Sequence, residues 1–304
     1  MDKTLVVMAA GLGSRYGGVK QMERLGPDGE ILMEYAIYDA LAAGFSRLVL
    51  IIKPHMLEDI RELFGDRIER STGLRIGYAF QTPDRFTEAR PEFSRRQKPF
   101  GTVHCVLCAR ELLNTPFAVM NADDYYGREA FEVMSSELDR LSSARDAAMV
   151  AYKLKNTVSP FGTVTRGVCR TEGGVLKGVT ETYKIKLFPD GSIRSTEKGE
   201  DGPLLEPETP VSMNLWGFHP DILGVMDSYF ADFLGRLQPG DEKSECLLPT
   251  MVGDLTDSGN ISVSVLSTSD KWFGLTYKED KPDAVKALSS LHESGVYPPS
   301  LWNK

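Results

Sequence analysis

Residues 5–21 read LVVMAAGLGSRYGGVKQ. The apolar run over residues 5–8 predicts a buried parallel strand, after which residues 9–18 exchange bulky side chains for alanine, glycine and serine. The backbone is left bare there. Gly11, Gly13, Gly17 and Gly18 can adopt positive φ and let main-chain N–H groups approach a ligand, while Arg15 and Lys20 set two positive charges beside them. That combination suits a polyphosphate.

Spacing separates the readings of this loop. A dinucleotide fingerprint needs a third glycine where Tyr16 stands and an acidic residue after the next strand, where Lys53 stands. A P-loop needs G-K-S or G-K-T, which does not follow. A glycine-rich turn with surface charges stays as the plain alternative.

Working outward, residues 33–43 repeat apolar side chains at helical spacing and stop at Gly44, and residues 48–52 form a second apolar strand. Strand, loop, helix and strand make a βαβ unit, whose right-handed crossover sets the strands parallel and the fold class as α/β. Further on, residues 55–64 predict a helix ending at Gly65, 74–80 a strand, 101–113 a helix and 116–120 a strand. Between them residues 82–99 carry three prolines and the cations Arg85, Arg90, Arg95, Arg96 and Lys98. This stretch predicts a mobile surface excursion, either a simple insertion or a flap over an anionic ligand.

Asn121-Ala122-Asp123-Asp124 follows the strand at 117–120 directly, so its carboxylates stand at the strand's carboxyl end, on the edge where the glycine loop also lies. Hard oxygen donors there suit Mg2+, which binds through one or two carboxylates plus substrate phosphates. A pair of acids opening a surface turn is the plain alternative. Residues 128–141 then predict a helix and 148–154 a strand. Beyond them the texture turns to short strands with frequent turns, including a hairpin signal at 189–192 and a polar, proline-rich connection over 197–210. Strands at 211–218 and 261–266 alternate with helices at 220–237, 244–255 and 280–291.

The chain has 304 residues, 41% of them hydrophobic, and 35 basic against 43 acidic residues, a net charge of −8. Such a surface repels nucleic acid and anionic lipid, which argues against a polynucleotide or membrane partner. An anionic small substrate therefore needs a local cationic cluster. No apolar stretch approaches membrane-spanning length, and residues 1–5 contain Asp2 and Lys3, unlike a signal peptide. Four scattered cysteines fit a reducing, cytoplasmic setting, and the pair Cys105 and Cys108 lies at helical spacing, as small residues of a buried face.

The step A-A-G-x-G-S-R followed closely by K-Q resembles the sugar nucleotidyltransferases, which join a nucleoside triphosphate to a sugar 1-phosphate and release pyrophosphate. PFAVMNADDYYG is similar to the uridylyltransferases that make UDP-glucose, and the chain as a whole resembles the glucose-1-phosphate uridylyltransferase and thymidylyltransferase type. The resemblance implies a three-layer, Rossmann-like, mostly parallel sheet of the nucleotide-diphospho-sugar transferase type with a smaller β-rich sugar-binding part. It implies a single domain over 1–304, with a nucleotide half at 1–155 and a sugar-phosphate half at 156–304 closed by a C-terminal helix. Homo-oligomers are compatible with it.

By resemblance, Ala10, Gly11, Gly13, Ser14, Arg15 and Lys20 hold the triphosphate, with Arg15 on the leaving phosphates. Gln81, Gly101 and Thr102 receive a uracil or thymine ring. An amide offers that ring a donor and an acceptor, and a glycine lets it lie on the backbone. Asp123 is the implied Mg2+ ligand; Gly162, Glu181, Lys184 and Asn214 are implied for the sugar and its phosphate. The catalytic set is Arg15, Lys20, Asp123 and Lys184.

Two departures stand out. Relatives write E-K-P where this chain writes ETYKIK, leaving Lys184 and Lys186 as alternatives. Relatives also carry a second metal-binding aspartate where this chain has Gly274, so Asp124, Asp270 or water must complete the shell. Two other classes remain open. One is a cytidylyltransferase acting on a non-sugar phosphate; the other is a non-catalytic nucleotide-sugar-binding regulatory protein.

Overall fold

The computed structural model describes residues 1–11, 23–275 and 277–302. Strand β1 (Thr4–Met8) is followed in chain order by helix α1 (Leu32–Ala42) and strand β2 (Arg47–Ile52). Leu5 and Val7 pack into one apolar cluster and Val6 into another, so both faces of β1 are covered. That is why the strand reads as an unbroken apolar run.

A segment at 54–72 follows β2. It begins as a 3-10 turn, continues as α2 (Leu57–Ile60), loosens into a π turn at Arg61–Gly65 and ends as α3 (Asp66–Thr72). Gly65 therefore does not stop the helix as its type suggested. A Cβ there would meet the Tyr78 hydroxyl at 2.6 Å, so the glycine serves close packing, and Gly73 at φ 72° supplies the left-handed stop. Strand β3 (Ile76–Phe80) completes this edge.

Residues 82–99 are docked, contrary to the expected mobile excursion. Phe93 and Arg96 are buried; Arg90 donates to the carbonyls of Leu234 and Leu237, and Arg96 to that of Ser244 at 2.6 Å. A cation on the last carbonyls of a helix answers the negative end of its dipole.

Helix α4 (Thr102–Leu107) precedes strand β4 (Phe117–Asn121), the short strand β5 (Asp124–Tyr125), helix α5 (Arg128–Leu138) and strand β6 (Asp146–Lys153). Strands β7 (Val164–Glu172) and β8 (Val175–Leu187) form a long hairpin turned by Gly173 and Gly174, both at positive φ. Strands β9 (Ile193–Ser195), β10 (Leu204–Leu205) and β11 (Pro210–Phe218) follow, then α6 (Ile222–Arg236), α7 (Leu248–Asp257), β12 (Ser262–Ser267), β13 (Phe273–Gly274) and α8 (Lys281–Glu293).

Among the described residues eleven strands make one sheet, ordered β3-β2-β1-β4-β11-β6-β12-β8-β9-β10, with β7 joined to both β11 and β8. Strands β3, β2, β1 and β4 are parallel, as the βαβ reading required. The sheet as a whole is mixed, which corrects the expectation of a mostly parallel one. Strand β11 runs antiparallel between β4 and β6, and the β7–β8 hairpin pairs antiparallel with its neighbours. Because β12 joins both β6 and β8, strands β6, β11, β7, β8 and β12 close into a small barrel-like ring. Helices α1, α5 and α8 cover one face and α4, α6 and α7 the other, in three layers. Among the described residues no helix is long and apolar enough to cross a membrane.

Candidate active site

Two clefts open at the carboxyl edge of the parallel strands. The more polar has a volume of ≈ 530 Å³ and contains Asn121, Asp123, Asp124, Arg166, Glu181 and Asn214 in its lining. Strand β4 ends at Asn121, so Asp123 and Asp124 emerge at its mouth, where the chain turns into β5.

Asp124 is fixed from several sides. Asn121 Nδ2 donates to its Oδ2 at 2.9 Å, and the Tyr126 hydroxyl lies 3.2 Å from the same oxygen. Strand β5 pairs with β13 so that Gly274 stands opposite Asp124, and Tyr125 stacks on Phe273 at 4.4 Å to hold the ribbon. A Cβ on Gly274 would lie 2.8 Å from Asp124 Oδ1, so the carboxylate fills the space that a side chain at 274 would take. Burial raises the Asp124 carboxyl above the ordinary carboxylate range, and the negative charge of Asp123 raises it further.

Asn214 reaches the cleft through a bulge. Between Ser212 and Trp216 the β11 register slips against β6, and Asn214 sits there at φ 63°. Its Nδ2 is 3.4 Å from Asn121 Oδ1, and Trp216 Nε1 donates to its Oδ1 at 3.1 Å. Glu181 pairs with Gly167 across the hairpin and is raised by burial while Arg166 draws it down. The glycine at 167 answers its other neighbours, since a Cβ there would meet Val179 Cγ1 at 3.0 Å and Ser212 Cβ at 3.4 Å.

Arg166 carried no motif, and sequence reasoning missed it. Its guanidinium donates to the Thr157 carbonyl at 3.0 Å and the Thr165 carbonyl at 2.8 Å and lies 4.8 Å from the Trp272 ring. Burial lowers it to about 10, against the attraction of Asp124 and Glu181, so it stays a cation at neutral pH. The structure places Arg166 on the same buried face of β7 as Val164, with Thr165 exposed between them, and no motif in the sequence marks it.

Lys184 and Gly162 do not join this lining. Lys184 is exposed at φ 50°, where β8 bulges against β7, and its carbonyl accepts the Thr196 N–H at 2.9 Å. Lys186 pairs with Glu200 at 2.8 Å. Gly162 packs against Tyr277, whose hydroxyl occupies the place a Cβ there would take. A register slip of one residue turns a side chain to the other face, so a family spacing cannot place a lysine beyond a bulge.

The second cleft, ≈ 350 Å³, is lined by Lys53, Gln81, Arg95 and His104 among others. Gln81 Nε2 approaches the Gly101 carbonyl and His104 Nδ1, each at 3.3 Å, so the structure brings Gln81 and Gly101 together. Gly101 adopts φ 97°, and a Cβ there would strike the Cys246 backbone at 2.6 Å. The glycine is required by that crossing segment. Leu248 N–H donates to Thr102 Oγ1 at 2.7 Å, so this hydroxyl serves the first turn of α7.

Ala10 is buried and Gly11 exposed at the end of β1. Gly13, Ser14, Arg15 and Lys20 lie outside the described residues.

Among the described residues no three His, Cys, Asp or Glu side chains form a metal-binding group. The pair Asp123 and Asp124 nevertheless suits Mg2+, because their mutual repulsion is what a divalent cation relieves and this ion needs only one or two carboxylates. Asp270 is employed elsewhere: Ala130 N–H donates to its Oδ2 at 3.2 Å, at the start of α5.

A family profile described as nucleotidyl transferase matches residues 5–182. No curated protein matches the chain. Among solved structures, a UDP-glucose pyrophosphorylase complexed with UDP-glucose is 20% identical, with 95% of this chain and 99% of that chain covered and a TM-score of 0.57. A proposed glucose-1-phosphate thymidylyltransferase from Bacillus anthracis, complexed with sucrose, is 12% identical, with 94% and 95% covered and a TM-score of 0.60.

Proposed function

Because the chain belongs to the nucleotidyl transferase family and is a nucleotidyltransferase, we propose that it joins UTP or dTTP to a sugar 1-phosphate and releases pyrophosphate. One observation carries this reading: a polar cleft at the end of β4 joins two adjacent carboxylates, Asp123 and Asp124, to Glu181, Asn214 and Arg166. Carboxylates suited to a cation beside phosphates, with hydroxyl-binding groups opposite, are what a phosphorylated sugar requires. The solved pyrophosphorylase of this fold is complexed with UDP-glucose, which supports a nucleotide-sugar product.

In the proposed reaction a phosphate oxygen of the sugar 1-phosphate bonds to the α-phosphorus, and the bond from that phosphorus to the bridging oxygen breaks. Pyrophosphate leaves with the electron pair. The attacking phosphate is already ionised at neutral pH, so no general base is needed, and positioning and charge neutralisation supply the catalysis. Ala10, Gly11, Gly13, Ser14, Arg15 and Lys20 are assigned to the triphosphate, and Gln81, Gly101 and Thr102 to the base side. Glu181 and Asn214 are assigned to the sugar, with Gly162 and Lys184 at the periphery.

Asp123 and Asp124 would hold Mg2+, which when bound neutralises phosphate charge. Arg166 adds a fixed cation whose attraction for a phosphate oxygen about 4 Å away is roughly 4 kcal/mol before desolvation, at an effective dielectric near 20. Residues 1–155 and 156–304 act as nucleotide and sugar halves of one domain.

Pyrophosphate release measured with each nucleoside triphosphate, Mg2+ and pooled sugar 1-phosphates tests the reading. Turnover with UTP or dTTP and a sugar 1-phosphate is expected; turnover only with CTP and a non-sugar phosphate would replace it.

A further inference from the structure

The second cleft contains a buried histidine that the reaction does not use. We propose that His104 positions Gln81: its Nδ1 accepts from the Gln81 amide nitrogen, so that the amide offers the nucleotide base its oxygen alone. This rests on the reading that the base lies in that cleft.

Proton counting leads there. His104 Nε2 lies 3.1 Å from the Arg85 carbonyl, which can only accept, so the ring proton sits on Nε2. The imidazole is fully buried, stacked on Phe230 at 5.1 Å and edged by Phe100 at 5.3 Å. Burial holds it down to about 4, so it is neutral and Nδ1 keeps its lone pair. Gln81 Nε2 then gives one hydrogen to Nδ1 and the other to the Gly101 carbonyl, each across 3.3 Å.

Two acceptors that cannot donate thus decide which end of the amide turns inward. Oε1 has no hydrogen-bond partner among the described residues and is not among the sealed, unpartnered atoms, so it is the end left to the cleft. The amide therefore does not offer the donor-and-acceptor pair expected from residue type. Uracil and thymine present a ring N–H at position 3, whereas cytosine presents a lone pair there. An acceptor facing position 3 attracts the first two and repels the third.

Calorimetric binding of UTP and CTP with Mg2+ tests this in the wild type, H104F, Q81A and the double variant. Phenylalanine keeps the ring stack and removes both nitrogens. The ratio of the two dissociation constants is expected to fall about tenfold in H104F, the worth of one hydrogen bond. In the Q81A background the same substitution is expected to leave the ratio unchanged. A merely structural histidine would weaken both nucleotides equally, so a UTP preference that survives H104F overturns the positioning role. A wild type with no preference for UTP removes the base-reading assignment itself, and the proposal with it. Should H104F not fold, side-chain 15N spectra of the wild type decide: a proton on Nε2 supports the proposal and a proton on Nδ1 overturns it.

Discussion

Gly274 faces Asp124 across the β5–β13 ribbon, and a methyl group on this glycine would stand 2.8 Å from Asp124 Oδ1. The two positions compete for one volume, so the carboxylate delivered by β5 fills the space that a side chain on β13 would take.

Replacing Asp124 by Asn is expected to lower turnover by about 10² to 10³, the scale of removing one preorganised group that meets transition-state charge. The native fold penalises the charged carboxyl by burial, so the variant's melting temperature should hold or rise. Gly274→Ala should lower turnover in the same direction by crowding that carboxylate. Pyrophosphate release against Mg2+ concentration, with a thermal melt, checks both; an active D124N removes Asp124 from metal binding.

Asp270→Ala should act on stability instead. It removes the acceptor of the Ala130 N–H at the start of α5, a loss worth about 1 kcal/mol. Denaturant unfolding should register that loss while the Mg2+ dependence of turnover stays unchanged.

Asp39 predicts a pH dependence of stability. It is fully buried, and burial raises its carboxyl from the ordinary 3.8 to about 7, against the Tyr297 hydroxyl that donates to it at 2.6 Å. The folded state thus holds a proton that the unfolded chain has released. Its contribution is fully present below the unfolded value and is lost as pH rises through about 7. Asp39→Asn keeps a neutral group in place, so its stability relative to wild type should improve between pH 4 and pH 8, by on the order of a few kcal/mol. Chemical unfolding of both proteins across that range measures the difference; a constant difference would refute it.

Arg166→Met should reduce turnover by about 10² by removing a fixed cation from the cleft. It should also cost about 1 to 3 kcal/mol, because the buried carbonyl of Thr157 loses its charged donor. Lys184→Met, on an exposed bulge, should leave turnover within a fewfold of wild type. Steady-state kinetics over sugar 1-phosphate concentration separate the two substitutions.

Much of the site's location was legible. Residues 5–8, 48–52 and 117–120 announced strands by unbroken apolar runs, and Asp123 and Asp124 followed from their place at a strand end. Lys184 stands apart from the lining of the polar cleft because it sits in a bulge of β8, which the spacing from Glu181 does not reveal. Thr102 and Gly101 were assigned to a base, yet the N-terminus of α7 and the Cys246 backbone account for their residue types.

By itself the sequence determined the parallel core and the acidic step at the end of β4, because burial pattern and the place of a residue at a strand end are properties of neighbouring residues. Only the tertiary structure decided that β11 enters antiparallel between β4 and β6, that Asp124 meets Gly274 and that the Gln81 amide lies against His104. Those juxtapositions depend on strand register and bulges between segments far apart in the chain. A two-residue alternation looks the same in every register, so the chain's local pattern carries no record of them.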